Sequence, residues 1–441
     1  MGPTTTGDHA SFLNVRLKAR SRPPWHKEAA SPRPRRPATC ASAWGSRTQA
    51  AHDPWRSQHS ALPNAALELG LSRALAARRE WAGYFGVDAN GNRAILLNNA
   101  GIRFVEATTD ETLNSIVPVQ PSPELLSLHP SGDADAEELM LVQVRRFACG
   151  SMAVGLTAHH LVADAYGRCG FVTAWGKATR GAAVDDLDPA VHRRSSVFTP
   201  RDPLRIEFQH RGVEFKRRGE EEEKGMENAD PGDEVVVWRV HFSAKMVSGL
   251  KTAGAPRGQY SALKSLAAHL WRCVTVARRL DESKVTALKM AVNGRRRMRH
   301  PAVPEGRCGA PPSSSRAVAR IDDSYFRSFI DFAGSGVVEE EGLVPAADPT
   351  MMVHSPDVGV YSALGIPVYD VDFGAGRPFL YMPGYLPDKG LLFILPSPSG
   401  DGSLDVEDRL FAAAMDIFDK CCYSLPTPPA LKQPFSASGS H

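Results

Sequence analysis

The run His159-His160-Leu161-Val162-Ala163-Asp164 joins two stretches of different period. Upstream, Ser151 to Ala158 is an apolar run of strand length; downstream, Ala165 to Thr179 reads as a helix closed by Gly181. A histidine delivered at a strand end sits where a cleft can open. Its ordinary pKa of roughly 6.5 lets it accept a proton near neutral pH. His160 is therefore the candidate general base. Asp164 lies four residues on. On one helix the two side chains would share a face. Across a strand-to-helix turn they need not, so Asp164 either orients the imidazole or holds the turn through an arginine. Alone, His-x-x-x-Asp is short and common, and a satisfied core histidine is the plainer reading.

Outward from this run the chain alternates strand and helix. Leu139 to Phe147 pairs with Ser151 to Ala158 through a turn at Cys149-Gly150. Asn64 is a fitting N-cap for a helix over Ala65 to Arg79. Ala94 to Leu97 and Ile102 to Val105 flank Asn98-Asn99-Ala100-Gly101, a β-hairpin signal. In the second half, Val235 to Phe242 reads as a strand, Ser243 caps a short helix, and Ser261 caps a longer one over Ala262 to Arg279. Thr286 to Val292, Pro367 to Val371 and Gly390 to Leu395 are expected strands, and Tyr325 to Phe332 an expected helix. Val406 to Cys422 reads as a terminal amphipathic helix. Mixed elements in both halves predict an α/β architecture with two sheets. Residues 1–60 form an extension without strand or helix period, expected to be disordered or foreign to the domains. Residues 61–195 are the first domain, 196–234 a solvated linker ending in a charged run, 235–424 the second domain, and 425–441 a flexible tail.

Composition narrows the function classes. Of 441 residues, 42% are hydrophobic and 23% charged, as in a globular protein. Residues 1–60 hold ten Lys/Arg and three Asp/Glu, so the rest carries 42 basic and 46 acidic groups, a net of −4. Without a basic patch interleaved with aromatics, nucleic acid is not an expected partner. Seven cysteines, with no CxxC pair, predict neither a disulfide framework nor a structural zinc site. No apolar stretch reaches membrane-spanning length, so no membrane partner is expected. The Arg- and Ser-rich, acid-poor start resembles a transit peptide, which sets a plastid beside the cytoplasm as the expected location.

A second cluster is Asp372-Phe373-Gly374-Ala375-Gly376-Arg377-Pro378. Two glycines around one small residue make a tight loop. It lacks the form of a phosphate loop and leads into no helix. Read alone, it is a structural turn.

The two clusters, in this order and about 210 residues apart, resemble the HxxxD and DFGWG signatures of the plant BAHD acyl-CoA-dependent acyltransferases. Arg211-Gly212-Val213-Glu214-Phe215-Lys216, Val292-Asn293-Gly294-Arg295, the segment Tyr325 to Phe332, and Met382-Pro383-Gly384-Tyr385-Leu386-Pro387 extend the likeness. It is to the grass branch that acylates agmatine, putrescine and tryptamine. The resemblance implies two chloramphenicol-acetyltransferase-like domains joined by a crossover loop, with a channel between them. It also implies transfer of a hydroxycinnamoyl group from its CoA thioester to a small amine, by a monomer with acyl-CoA as co-substrate and no bound cofactor or metal. His160 would be the base. Asp164 would pair with Arg295 or Arg297, and Asp372, Gly374 and Gly376 would be structural. Ser362 and Ala363 stand where the family commonly has Ser-Trp at the channel.

Several positions depart from the family. Ala165 replaces a glycine after the motif aspartate, an added methyl at a tight turn. Residues 1–60 do not match the family's first strand. After Gly309 roughly 30–40 expected residues are absent by comparison with the family, a loss on the scale of a domain's whole stability. An ester-forming relative with an alcohol acceptor and a non-catalytic relative are the alternatives left open.

Overall fold

The computed structural model describes residues 11–15, 39–46, 62–89, 93–113, 127–130, 138–183, 198–217, 235–254, 260–280, 286–294, 297–298, 320–345, 356–384 and 390–425. Two large sheets carry them. The first contains β1 (Ser11–Val15), β2 (Thr39–Ser46), β5 (Ile102–Thr109), β6 (Met140–Phe147), β7 (Met152–His159) and β13 (Leu380–Pro383), in the order β1-β5-β6-β7-β2-β13. β6 and β7 form the expected hairpin, turning at Gly150 with φ 81°. Helices α1 (Asn64–Ala77) and α2 (Ala165–Thr179) share this sheet's core, where Leu67, Leu71, Phe104, Phe171 and Trp175 are fully buried. The Trp175 indole donates to Leu67 O at 2.8 Å, so its one polar group is satisfied inside the core.

The second sheet runs β10 (Leu288–Met290), β12 (Val358–Ser362), β14 (Leu391–Pro396), β15 (Leu404–Phe411) and β9 (Val235–Phe242). Its core lies against α3 (Ala244–Gly254), α4 (Ala262–Ala277) and α7 (Ala412–Cys422). Ser243 and Ser261 cap α3 and α4 as expected, accepting from Met246 N–H at 3.2 Å and Lys264 N–H at 3.4 Å. Among the described residues no helix is long and apolar enough to cross a membrane.

Several expectations are corrected. Residues 1–60 supply two strands: β1 pairs with β5, and β2 sits between β7 and β13. A sheet slot needs only a few residues of extended backbone, which composition averaged over sixty residues conceals. The hairpin expected around Asn98-Gly101 does not form. β4 (Arg93–Leu96) instead pairs with β3 (Tyr84–Val87) in a separate ribbon, and β5 runs parallel to β6. Ile102 and Phe104 are wholly buried, and that burial draws β5 into the large sheet. Asn64 is the first residue of α1 and not its cap; its side chain accepts from Arg146 at 2.7 Å. Residues 367–371 are a turn, and the strand lies earlier, at β12.

The stretch Val406 to Phe411 belongs to β15, and only Ala412–Cys422 is helical. Nearly all of β15 is buried. Leu404, Val406 and Leu410 enter the second core, while Asp405, Glu407 and Arg409 face the other way. On that side, Phe393 and Leu395 of β14 join the first core.

The linker is not wholly solvated either. Residues 198–217 lie on α5 (Asp323–Ala333), where the Asp331 carboxylate accepts from the N–H groups of Arg201 at 2.7 Å and Arg205 at 2.8 Å. His210 is buried between Glu214 (3.0 Å) and Ser328 (2.9 Å). β8 (Phe215–Arg217) then pairs with β11 (Leu343–Pro345). Residues 218–234, 299–319 and 426–441 lie outside the described residues, and with them the expected gap after Gly309 and the tail. The second-domain assignment of 235–424 also needs revision. Ala363, Val368, Val371, Phe373 and Tyr381 pack in the first core, and β13 completes the first sheet.

Candidate active site

The first residue beyond β7 is His160. The turn that follows is closed by Val162 N–H donating to His159 O at 3.1 Å, and Val162 itself is buried in the first core. The apolar residue anchors the turn and leaves His160 exposed. Burial by the surrounding protein lowers the His160 pKa, and the nearby Arg168 charge lowers it further; the Asp164 carboxylate pulls the other way. The imidazole is neutral near pH 7, the form in which it accepts a proton.

Asp164 is the N-cap of α2. Its Oδ1 accepts from Gly167 N–H at 2.9 Å, and its extended backbone (φ −74°, ψ 179°) turns the chain into the helix. Ala165 is the first residue of α2, where a methyl group fits the helical backbone, so the departure from glycine needs no rearrangement. Arg295 lies outside the described residues. Arg297 donates to Ile321 O at 2.6 Å. Arg168, one turn past Asp164 and buried, acts electrostatically on His160 and was not singled out from sequence. Its place on α2, eight residues after the histidine, is the signal available there.

Asp372, Gly374 and Gly376 assemble elsewhere. Asp372 Oδ1 accepts from Gly374 N–H at 2.7 Å and Gly376 N–H at 3.1 Å. Both glycines have left-handed φ, 106° and 89°, which is why this turn takes glycine twice. The Arg180 guanidinium, just past the end of α2, reaches the Asp372 carboxylate at 3.4 Å and also donates to the Asp372 carbonyl. Phe373 packs edge-on against Trp175, with centroids 4.6 Å apart. A Cβ on Gly176 would come within 2.5 Å of Asp372 O, so helix and loop meet backbone to backbone. From Asp164 to Gly176 is about 18 Å along a helix. The two motifs thus grip opposite ends of α2, one capping its start beside His160 and the other clamping its end.

Ser362 ends β12, and Ala363 follows it. Ala363 is buried in the core that Val162 also enters. The Ser362 hydroxyl accepts from Leu364 N–H at 3.1 Å. Among the described residues no cluster of His, Cys, Asp or Glu is placed to hold a metal ion.

A strand-end histidine beside a capped helix, and a second sheet joined to the first core by a crossing segment, make this a two-unit α/β protein. The Transferase family model matches residues 53–324 and 313–425. The chain belongs to this family, that of the BAHD acyltransferases. It is 53% identical to agmatine coumaroyltransferase-1 of Hordeum vulgare, over 82% of this chain and 88% of that one. It is 51% identical to agmatine hydroxycinnamoyltransferase 1 of Oryza sativa subsp. japonica, over 82% and 87%. Putrescine hydroxycinnamoyltransferase 3 of the same rice is 38% identical, over 82% and 87%. Among solved structures, vinorine synthase shares the fold with a TM-score of 0.58 at 17% identity, covering 93% of this chain and 96% of that one. Fusarium graminearum TRI101, solved with coenzyme A and deoxynivalenol, has a TM-score of 0.62 at 18% identity, covering 86% and 92%.

Proposed function

We propose that the protein transfers a hydroxycinnamoyl group from its CoA thioester to the primary amine of agmatine or a similar small amine, with His160 as general base. The observation that carries the chemistry is His160 itself: exposed, at a strand end, with its pKa lowered. The amide product follows the names of two similar relatives, the agmatine coumaroyltransferase of Hordeum vulgare and the agmatine hydroxycinnamoyltransferase of rice. His160 Nε2 or Nδ1 takes the proton that the amine nitrogen sheds as it attacks. The new C–N bond forms at the thioester carbonyl, the C–S bond breaks, and the proton passes from the imidazolium to the departing CoA thiolate. Donor, acceptor and products balance without a further reactant.

Purified protein with coumaroyl-CoA and a panel of amines and alcohols tests this. Amide formation from agmatine is expected, with a loss of about 10²–10⁴-fold in His160→Ala. Full turnover in His160→Ala would defeat the base assignment. Esters from alcohols in place of amides would move the protein to the ester-forming class, and no product from folded protein would make it a non-catalytic relative.

A further inference from the structure

His159, beside the proposed base, makes contacts through its main chain, its ring nitrogen and its ring face that the proton transfer does not use. Its main chain ends β7, donating to Leu139 O at 2.9 Å and accepting from Val162 N–H at 3.1 Å. Its ring closes the same turn from the side, Nδ1 accepting from Leu161 N–H at 3.2 Å. A ring nitrogen accepts only when it carries no proton, so the neutral ring carries its proton on Nε2. His160 is therefore spanned by two hydrogen bonds that His159 accepts, one at its carbonyl from Val162 N–H and one at its ring from Leu161 N–H. The Leu161 side chain is 59% exposed, so on the His160–Leu161 side the turn is held by this ring bond beside the Val162 anchor. The ring contact comes from Phe85, whose ring meets the imidazole edge-on with centroids 4.3 Å apart and planes at 71°. Phe85 stands on β3, in the ribbon that joins neither large sheet, and is itself 41% exposed. Core burial does not account for a phenylalanine there; its packing on His159 does.

We propose that His159 is a positioning residue for acyl transfer: its Nδ1 acceptor, seated by Phe85, fixes the peptide that aims His160. This rests on His160 being the base. His159 itself touches no reacting atom.

The test separates the acceptor from the bulk of the side chain. Leucine at 159 keeps volume without an acceptor, whereas asparagine sets an oxygen two residues before the same N–H, the geometry of an Asx-turn. His159→Leu is expected to lower kcat roughly 10- to 100-fold, the scale of a displacement of about 1 Å, with KM for both substrates near wild type. His159→Asn recovers most of that loss, and Tm does not follow kcat across the pair. Phe85→Leu, at an exposed position, lowers kcat roughly two- to tenfold, the ring contact expressed as a rate. Wild-type kcat in His159→Leu, or equal impairment of the Leu and Asn variants, overturns the proposal. Should His159→Leu not fold, wild-type kcat in folded Phe85→Leu overturns it equally. His160→Ala keeps the two readings apart. If it is inactive while His159→Leu is normal, only the positioning role fails; if it is fully active, the base assignment fails.

Discussion

His160 serves as a base only while neutral, and its surroundings favour that form. Desolvation is the first cause and the Arg168 charge the second; both move its protonation below the ordinary value near 6.5. The sign is direct. Neutral imidazole is lost as pH falls through the lowered pKa, so the acid limb of kcat/KM lies below pH 6.5. Replacing Arg168 by methionine removes a cation that disfavours the imidazolium, and the limb moves to higher pH. The acceptor amine also titrates, but identically for both proteins, so the difference between their profiles isolates His160. Coincident profiles would mean that the Arg168 field does not reach the imidazole. The histidine was legible because a strand pattern stops at it and a helix pattern starts just after. Arg168 was not, because its influence depends on how α2 is set against the turn.

Helix α2 behaves as a beam fixed at both ends. At its start, Asp164→Ala removes a cap and costs about 1 kcal/mol, whereas Asp164→Asn keeps an acceptor and costs little. At its far end, Gly176→Ala pushes a methyl group into the Asp372 carbonyl, at a cost of about 1–3 kcal/mol. The sites are about 18 Å apart, so the double variant is expected to lose the sum, read by urea denaturation. Equal losses in the Ala and Asn variants of Asp164 would remove the cap from this account. The bounds of α2 could be read from sequence, because Gly181 is a local stop signal, whereas the capping role of Asp164 emerged only from the structure. The bounds of β15 could not. Its charged residues from Val406 onward read as the wet side of a helix, yet Glu407 and Arg409 are buried because β14 and β15 carry one face toward the first unit. β5 likewise showed a strand pattern, but the choice of β6 over β4 as partner was made by burial at long range.

The two units are stitched together. Residues 363–383 leave the second sheet at β12, enter the first core and close the first sheet as β13, so neither unit can unfold without exposing part of the other's packing. A single cooperative transition is therefore expected, even though the units hold buried titrating groups that act in opposite pH directions, His129 in the first and Asp408 in the second among them. In the first unit, burial lowers the His129 pKa to about 4. The unfolded chain binds that proton first, so stability falls as pH drops from 6.5 toward 4, by about 3 kcal/mol in all. In the second unit, burial raises the Asp408 pKa to about 7 against the Arg278 charge. The folded chain holds that proton longer, so stability falls as pH rises from about 4 to 7, by about 4 kcal/mol. His129→Gln should thus gain on wild type at pH 5 relative to pH 8, and Asp408→Asn should gain at pH 8 relative to pH 5. Calorimetry at the two pH values checks both. Because the cores share one crossing segment, each substitution should move the same transition; two separable transitions, each answering to one substitution, would show that the stitch does not couple the units.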